Sequence, residues 1–275
     1  MPEASMIHPD AAAIAQSIRH TVIDRSKRAN IGHIGCSLSI ADIVAAIFAG
    51  PLADVDPHDP DRPRFVLSKG HAALALYAAL HACGRLTDED LDTFCGDGSK
   101  IAVHPEHVLS GVDFSTGSLG HGLSMAAGAA LAARLSGSRR RVIALLSDAE
   151  CNEGSVWEAA MFAAHNRLSG LCAVVDVNGQ QALGYTRDVL DLEPLADRWT
   201  SFGWTVHDVD GHDVNALAGA LEPPPDDEAS PRVILARTVF GKGISFMQGR
   251  IEWHYLPMSD KEYDSALGQL SGCVA

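Results

Sequence analysis

Two nearly continuous apolar runs constrain this chain more than anything else in it: Arg141–Ser147 (RVIALLS) and Leu171–Val177 (LCAVVDV). A strand with one wet face alternates polar and apolar side chains. These runs do not alternate, so each strand needs cover on both faces. Between them, Ser155–Asn166 reads as a helix, which makes the unit a parallel crossover. Further strands are expected at Phe65–Leu67, Trp204–Val209 and Arg232–Val239. Helices are expected at Ala11–Arg28, where Ile14, Ile18 and Val22 recur at helical spacing, and at Ser39–Ala49, stopped by Gly50-Pro51. An Ala/Leu helix should run to Cys83, a short one should follow Thr87, and a Gly/Ala-rich one should span Gly122–Leu135. Lys100–Leu119 has little regular pattern, and Pro223–Asp227 reads as a surface loop. The predicted fold is α/β, a mainly parallel sheet with helices on both faces, all strands covered. No linker divides the 275 residues, so a single domain over 1–275 is expected.

Composition narrows the function. A net charge of −14 argues against nucleic acid as the main partner, since phosphate backbones select basic surfaces. No apolar run reaches the ~18 residues of a membrane span. The opening MPEASMIHPD has neither the basic nor the apolar region of a secretory leader, so a cytoplasmic location is expected. Six cysteines at irregular spacing, with no C-x-x-C pair, exclude a zinc ribbon and read as reduced thiols.

Ligands of such sheets bind at the carboxyl ends of the strands. RVIALLS ends at Asp148-Ala149-Glu150, and LCAVVDV ends at Asn178-Gly179-Gln180. One strand–helix–strand unit separates Asp148 from Asn178, so both fall on the same sheet edge. A carboxylate, an amide oxygen and the Gln180 carbonyl form a hard oxygen set suited to Mg²⁺ or Ca²⁺. The same spacing is also met by a helix cap at Asp148 and a plain turn at Asn178. Gly96-Asp97-Gly98 follows a helix rather than a buried strand, and does not compete as a site.

Six motifs together carry a resemblance. SDAECNEGSVWEAAMFAAHNRLSGLCAVVDVNGQQ resembles the thiamine diphosphate signature of transketolases. NIGHIGCSLSIADI, LSKGHAALALYA, GSKIAVHPE, STGSLGHGLSMAAGAALA, and RTVFGKGISFM followed by EWH are similar to that family's other motifs, in its order, from about residue 10 to 258. The resemblance implies an enzyme, active with a partner, that transfers a two-carbon ketol unit from a ketose donor to an aldehyde acceptor. It implies thiamine diphosphate and Mg²⁺ (or Ca²⁺) as cofactors. Full-length members carry pyrimidine-binding and C-terminal domains, and by this resemblance neither is expected within residues 1–275. The likeness is therefore to the N-terminal subunit of a split transketolase, with the missing half on a separate chain and a heterotetramer as the assembly.

Residue by residue, the resemblance implies Asp148, Asn178 and Gln180 as metal ligands. His71 and His254 would approach the diphosphate and the reacting carbon, and His33 and His104 would line the substrate channel. Gly117, Leu119 and Gly120 would lie along the pyrimidine. Ala149 would offer its N–H to the diphosphate, Glu150 would flank it, and Asp176 would sit beside the thiazolium. Glu153 and Glu158 would face the subunit interface, and the Gly122 helix is a candidate for that face too. Lys69 is either a site residue or a plain surface charge.

The chain departs from the family at several of these points. Gly-Asp-Gly becomes Ser147-Asp148-Ala149, and a positive φ at either changed position would cost about 1 kcal/mol. A glycine becomes Cys36, a glutamine becomes His121, and Tyr255 is bulky where the family is often small. These changes fit either a specialised substrate or a scaffold subunit that no longer holds cofactor. An acyloin synthase or the alpha chain of a 2-oxo acid dehydrogenase is a further alternative, against which the four histidines speak. A dinucleotide enzyme would need G-x-G-x-x-G after a strand, and neither apolar run is followed by it.

Overall fold

The computed structural model describes residues 10–225 and 229–272. Its core is a five-stranded, all-parallel sheet built from β1 (Arg64–Leu67), β2 (Val142–Ser147), β3 (Leu171–Val177), β6 (Thr205–Asp210) and β7 (Arg232–Arg237), in the order β1-β2-β3-β7-β6. The remaining two strands, β4 (Gln180–Gln181) and β5 (Gly184–Tyr185), form a small antiparallel ribbon just after β3. The helices are α1 (Ala11–Ala29), α2 (Ile34–Ser39), α3 (Ala41–Ala49), α4 (Ala73–Ala82), α5 (Asp88–Asp92), α6 (Gly122–Leu135), α7 (Gly154–His165), α8 (Thr186–Val189), α9 (Leu195–Ser201), α10 (Val214–Ala220) and α11 (Asp260–Ser271).

The continuous apolar runs are explained by what covers them. Alternate residues of each strand enter different cores. Leu67, Ile143, Leu145, Cys172, Val174 and Ile234 pack with α1, α3, α4, α10 and α11. Val66, Ala144, Leu146, Ala173, Val175 and Leu235 pack on the other side with α6, α7 and α9. Both faces of β2 and β3 are thereby dry, as their sequence requires.

Three expectations need correction. Cover on every strand fails at β6, an edge strand that leaves Asp208 and Asp210 exposed. The helix expected over Ser39–Ala49 is α3, starting two residues later; a further helix, α2, precedes it from Ile34, and Ile40 leaves helical geometry between the two. The break sits beside Ser39, whose hydroxyl bonds to Asp176 Oδ2 at 2.7 Å, a tertiary contact with no local signal. The Arg232–Val239 strand stops at Arg237, and Thr238 and Val239 belong to the loop that follows.

α9, α10 and α11 lie outside the expected helices, although Tyr263, Ala266, Leu267 and Leu270 of α11 recur at helical spacing and pack on the core. α11 does carry a signature: Ser259 and Glu262 form a reciprocal capping box. α10 is capped by Asp213, whose Oδ1 accepts from Asn215 N and Ala216 N. Among the described residues no helix is long and apolar enough to cross a membrane. Cys36, Cys83, Cys95, Cys151 and Cys172 are free thiols, and Cys273 lies outside the described residues.

Candidate active site

The carboxyl ends of β2, β3 and β7 converge, and a cleft of about 550 Å³ opens there over Asp148, Asn178 and Gly179. Tyr185, Arg187, Leu190 and Arg237 help to wall it. Asp148 is buried, with Oδ1 accepting from Ala149 N at 2.9 Å and Oδ2 from Gly179 N at 2.8 Å. Each oxygen keeps a lone pair for a cation. Burial, and then the negative charge of Asp176, push the Asp148 carboxyl up to about 7.

The orientation of the Asn178 amide follows from its neighbour. Nδ2 donates to Asp176 Oδ2 at 2.8 Å, so the other terminus must be the oxygen, and Oδ1 accepts from Gln180 N at 2.9 Å. The amide oxygen is thereby turned away from Asp176. A carboxylate and an amide oxygen on adjacent strand ends make an all-oxygen donor set that fits Mg²⁺ or Ca²⁺. The Ala149 N–H, expected to face an anion, is bonded to Asp148. The Ala149–Asn152 turn behind it has four residues and a correspondingly small dipole.

Lys69 and Asp176 form the hub beneath these ligands. Lys69 is 1 % exposed and Asp176 0 %, and the ammonium is paired with Asp176 Oδ2. Burial opposes the charge on Lys69, but Asp176 beside it holds the ammonium above its ordinary value. Asp176 also accepts from Ser39 and Asn178 on Oδ2 and from Thr238 on Oδ1. One buried carboxylate thus links α2, β3 and the loop after β7. Of the two readings of Lys69, a plain surface charge is excluded.

His33, His71 and His254 form a three-ring cluster, with centroid separations of 5.2–5.4 Å. His33 has φ 59°, a left-handed conformation uncommon for residues other than glycine, and its Nδ1 is buried without a protein partner. His104 lies beside Gly117 and close enough to act electrostatically on both His33 and His71. The rings of His33, His71 and His254 are held neutral. Burial lowers His33, with help from His104. Burial and then Lys69 lower His71 far, and burial and then His33 bring His254 to about 4. At neutral pH these are donors and acceptors rather than cations.

Close backbone approach accounts for several glycines. A Cβ on Gly70 would lie 2.8 Å from Gly117 N, so the strand-end loop and the Thr116–Gly120 segment touch directly. Gly120 has φ 85°, and its N–H donates to Glu150 Oε1 at 2.9 Å. Leu119 beside it is half-buried. Glu150 is fully buried, and its carboxylate also accepts from Ser68 Oγ and Ser147 N. It braces three loops of the site instead of facing the cleft.

A Cβ on Gly35 would lie 2.1 Å from Phe240 Cε1, and the Phe240 ring is stacked on His254 at an interplanar angle of 17°. Gly35→Ala is expected to overpack this contact and cost about 1–3 kcal/mol, read as a lowered thermal midpoint. An unchanged midpoint would show that Phe240 yields freely.

The altered Ser147 and Ala149 are accommodated. Neither is among the non-glycine residues with positive φ. The Ser147 hydroxyl accepts from Glu150 N at 3.2 Å. Tyr255 is exposed, and its hydroxyl donates to the Ala182 carbonyl in the β4–β5 turn. It ties that ribbon to the His254 segment.

Outside the cluster, Glu153 and Glu158 lie exposed at the start and along α7, apart from the cleft. The exposed residues around α6 include His121, Ser124, Gly128 and Ala132. Gly96-Asp97-Gly98 is an exposed loop after α5 and does not line the cleft. His212, unremarkable in sequence, bridges buried Asp42 (2.7 Å) and Val239 N (2.8 Å), and so fixes the loop after β7.

Comparison with known proteins gives a consistent result. Residues 10–271 match the family model described as transketolase, thiamine diphosphate binding domain. The chain is 39% identical over 260 residues to the 6-deoxy-6-sulfo-D-fructose transketolase subunit SqwG of Clostridium sp. (strain MSTE9), covering 93% of this chain and 94% of that one. It is 38% identical over 261 residues to an apulose-4-phosphate transketolase subunit of Actinobacillus succinogenes, with the same coverages. Among solved structures, transketolase from Campylobacter jejuni superposes with a TM-score of 0.85 at 29% identity, covering 94% of this chain and 42% of that one. The chain therefore spans about two fifths of that full-length enzyme and nearly all of the separate subunits.

Proposed function

This chain belongs to the transketolase family, matching its thiamine diphosphate binding domain, and from that premise we propose that it is the N-terminal subunit of a two-chain transketolase acting on a specialised ketose. The observation that carries the reading is the joint placement of Asp148, Asn178 and the neutral histidine cluster around the Lys69–Asp176 hub. In this reading residues 1–275 are one domain, and the pyrimidine-binding and C-terminal domains reside on a separate partner. Two copies of each chain form a cytoplasmic heterotetramer. The relatives named for sulfofructose and apulose 4-phosphate support a donor outside central sugar metabolism.

Asp148, Asn178 and the Gln180 carbonyl would hold Mg²⁺ (or Ca²⁺), whose charge would suit the cofactor's diphosphate. Gly117, Leu119 and Gly120 provide a close backbone surface for the pyrimidine. The cofactor, when bound, supplies the carbanion chemistry that passes a two-carbon ketol unit from a ketose to an aldehyde. The protein's part is to bind, orient and move protons. His71 and His254 offer hydrogen bonds to anionic oxygens. His33 and His104 hold substrate hydroxyls and exchange a proton with them, a role that suits imidazole rings lining a channel. Asp176 acts at one remove, fixing Asn178 and Lys69. Glu153, the N-cap residue of α7, and Glu158 on it are both exposed and would meet another subunit in this reading.

The scaffold alternative rests on Ser147 and Ala149, and the absence of positive φ at both positions weighs against its backbone-strain argument. The four histidines favour ketol transfer over 2-oxo acid chemistry. The test is to co-purify the chain with its partner and assay bound thiamine diphosphate, bound metal and ketol transfer. Stoichiometric cofactor with turnover of a ketose donor is expected. A stable complex that retains no cofactor in excess thiamine diphosphate and Mg²⁺ would restore the scaffold reading.

A further inference from the structure

The Cys36 thiol is buried and lies 3.1 Å from His254 Nδ1. A hydrogen between them runs in one of two directions. Sulfur is a weak acceptor and imidazole nitrogen a good one, so the favourable arrangement has the thiol donating. Burial pushes the Cys36 thiol up to about 12, so it keeps the hydrogen it would donate. The neutral His254 ring then accepts at Nδ1 and carries its own proton on Nε2.

The plane of that ring is set independently. Phe240 stacks on it with centroids 6.4 Å apart, and His33 meets it edge-on at 5.2 Å and 87°. The His33 N–H donates to the His254 carbonyl at 3.2 Å, which holds the backbone as well. With plane and backbone fixed and Nδ1 facing Cys36, the tautomer decides what the ring presents to the cluster.

We propose that Cys36 is a positioning residue that locks His254 in the Nε2–H tautomer, so that His254 enters the site as a hydrogen-bond donor to an incoming oxygen. The identity of that oxygen, on a diphosphate or a sugar, rests on the functional reading above; the tautomer does not. The reverse arrangement would aim N–H at sulfur and leave Nε2 as a bare acceptor, which repels a diphosphate or carbonyl oxygen and can only take a hydrogen from a hydroxyl.

Nitrogen-15 NMR of the histidine-labelled full chain tests this directly, with the His254 signals assigned by their loss in His254→Asn. The wild-type chain is expected to show the Nε2–H pattern. Cys36→Ser, whose hydroxyl also donates, should retain it, and Cys36→Ala should give a mixture of tautomers. In the complex with its partner, Cys36→Ala should lower kcat about fivefold, the scale of one lost neutral hydrogen bond, with KM for the ketose little changed. Cys36→Ser should restore most of that loss. An Nδ1–H pattern in the wild-type chain overturns the proposal whatever the variants do, as does an unaltered spectrum in folded Cys36→Ala. An active complex with the Nδ1–H pattern would sink this inference and leave the transketolase reading intact. A chain with the Nε2–H pattern that responds to Cys36→Ala, in a complex that binds no cofactor, would do the opposite.

Discussion

Lys69→Met is expected to destabilise the chain by about 3–5 kcal/mol, lowering its thermal midpoint by roughly 10 °C. The substitution removes the cation paired with Asp176 while leaving that carboxylate buried at 0 % exposure. Ser39, Asn178 and Thr238 still donate to it, which keeps the cost finite. Thermal or urea unfolding of the full chain measures the loss. A change below about 1 kcal/mol, the level of an exposed pair, would show that Asp176 does not need its cation. Asp176→Leu added to Lys69→Met should not rescue the chain, because Ser39, Asn178 and Thr238 would then lose their shared acceptor. This separates a hub from an isolated ion pair, where apolar replacement of both partners is often tolerated.

Asp148→Ala is expected to abolish retention of metal and cofactor by the complex and to reduce ketol transfer to background, while the chain still folds. Relief of a buried carboxyl whose pKa is raised should even add stability to the cofactor-free chain. The sign follows from linkage. Asp148 titrates at about 7 in the folded chain and about 4 when unfolded, so between those values the native state binds more protons. Stability of the cofactor-free wild type should therefore fall as pH rises from about 4 to about 7, and this component should vanish in Asp148→Ala. A cation needs the carboxylate, so Mg²⁺ binding below about pH 7 should release a proton and tighten with rising pH. Calorimetry in buffers of different ionisation enthalpy reads that proton. Cofactor held normally by Asp148→Ala would remove Asp148 from the metal site.

Much of the scaffold is written locally. β2, β3, α1 and α6 fall within a residue of their expected limits, because a dry strand and a helix with one apolar face each print a short-range period. The errors fall where tertiary contacts override that period: the break at Ile40, and the exposed edge of β6. Asp148 and Asn178 are legible for the same reason as the strands they terminate. Lys69 is not, since nothing adjacent marks a lysine as buried, and its partner lies 107 residues away. Its place beside Asp148 suggests that Glu150 faces a ligand, yet Ser68, Gly120 and Ser147 occupy its carboxylate.

The sequence by itself determined the parallel sheet, the edge at which Asp148 and Asn178 stand, and the order of motifs that marks the family. Each follows from spacing over at most a few tens of residues, the range over which backbone geometry fixes relative position. Only the tertiary structure decided which side chains meet: Ser39 with Asp176 across 137 residues, Lys69 with the same carboxylate, and Cys36 with His254 across 218. Those pairings depend on how the loops at the sheet's carboxyl edge fold over one another. A buried polar atom takes whatever partner that packing brings within reach, and chain separation carries no record of it.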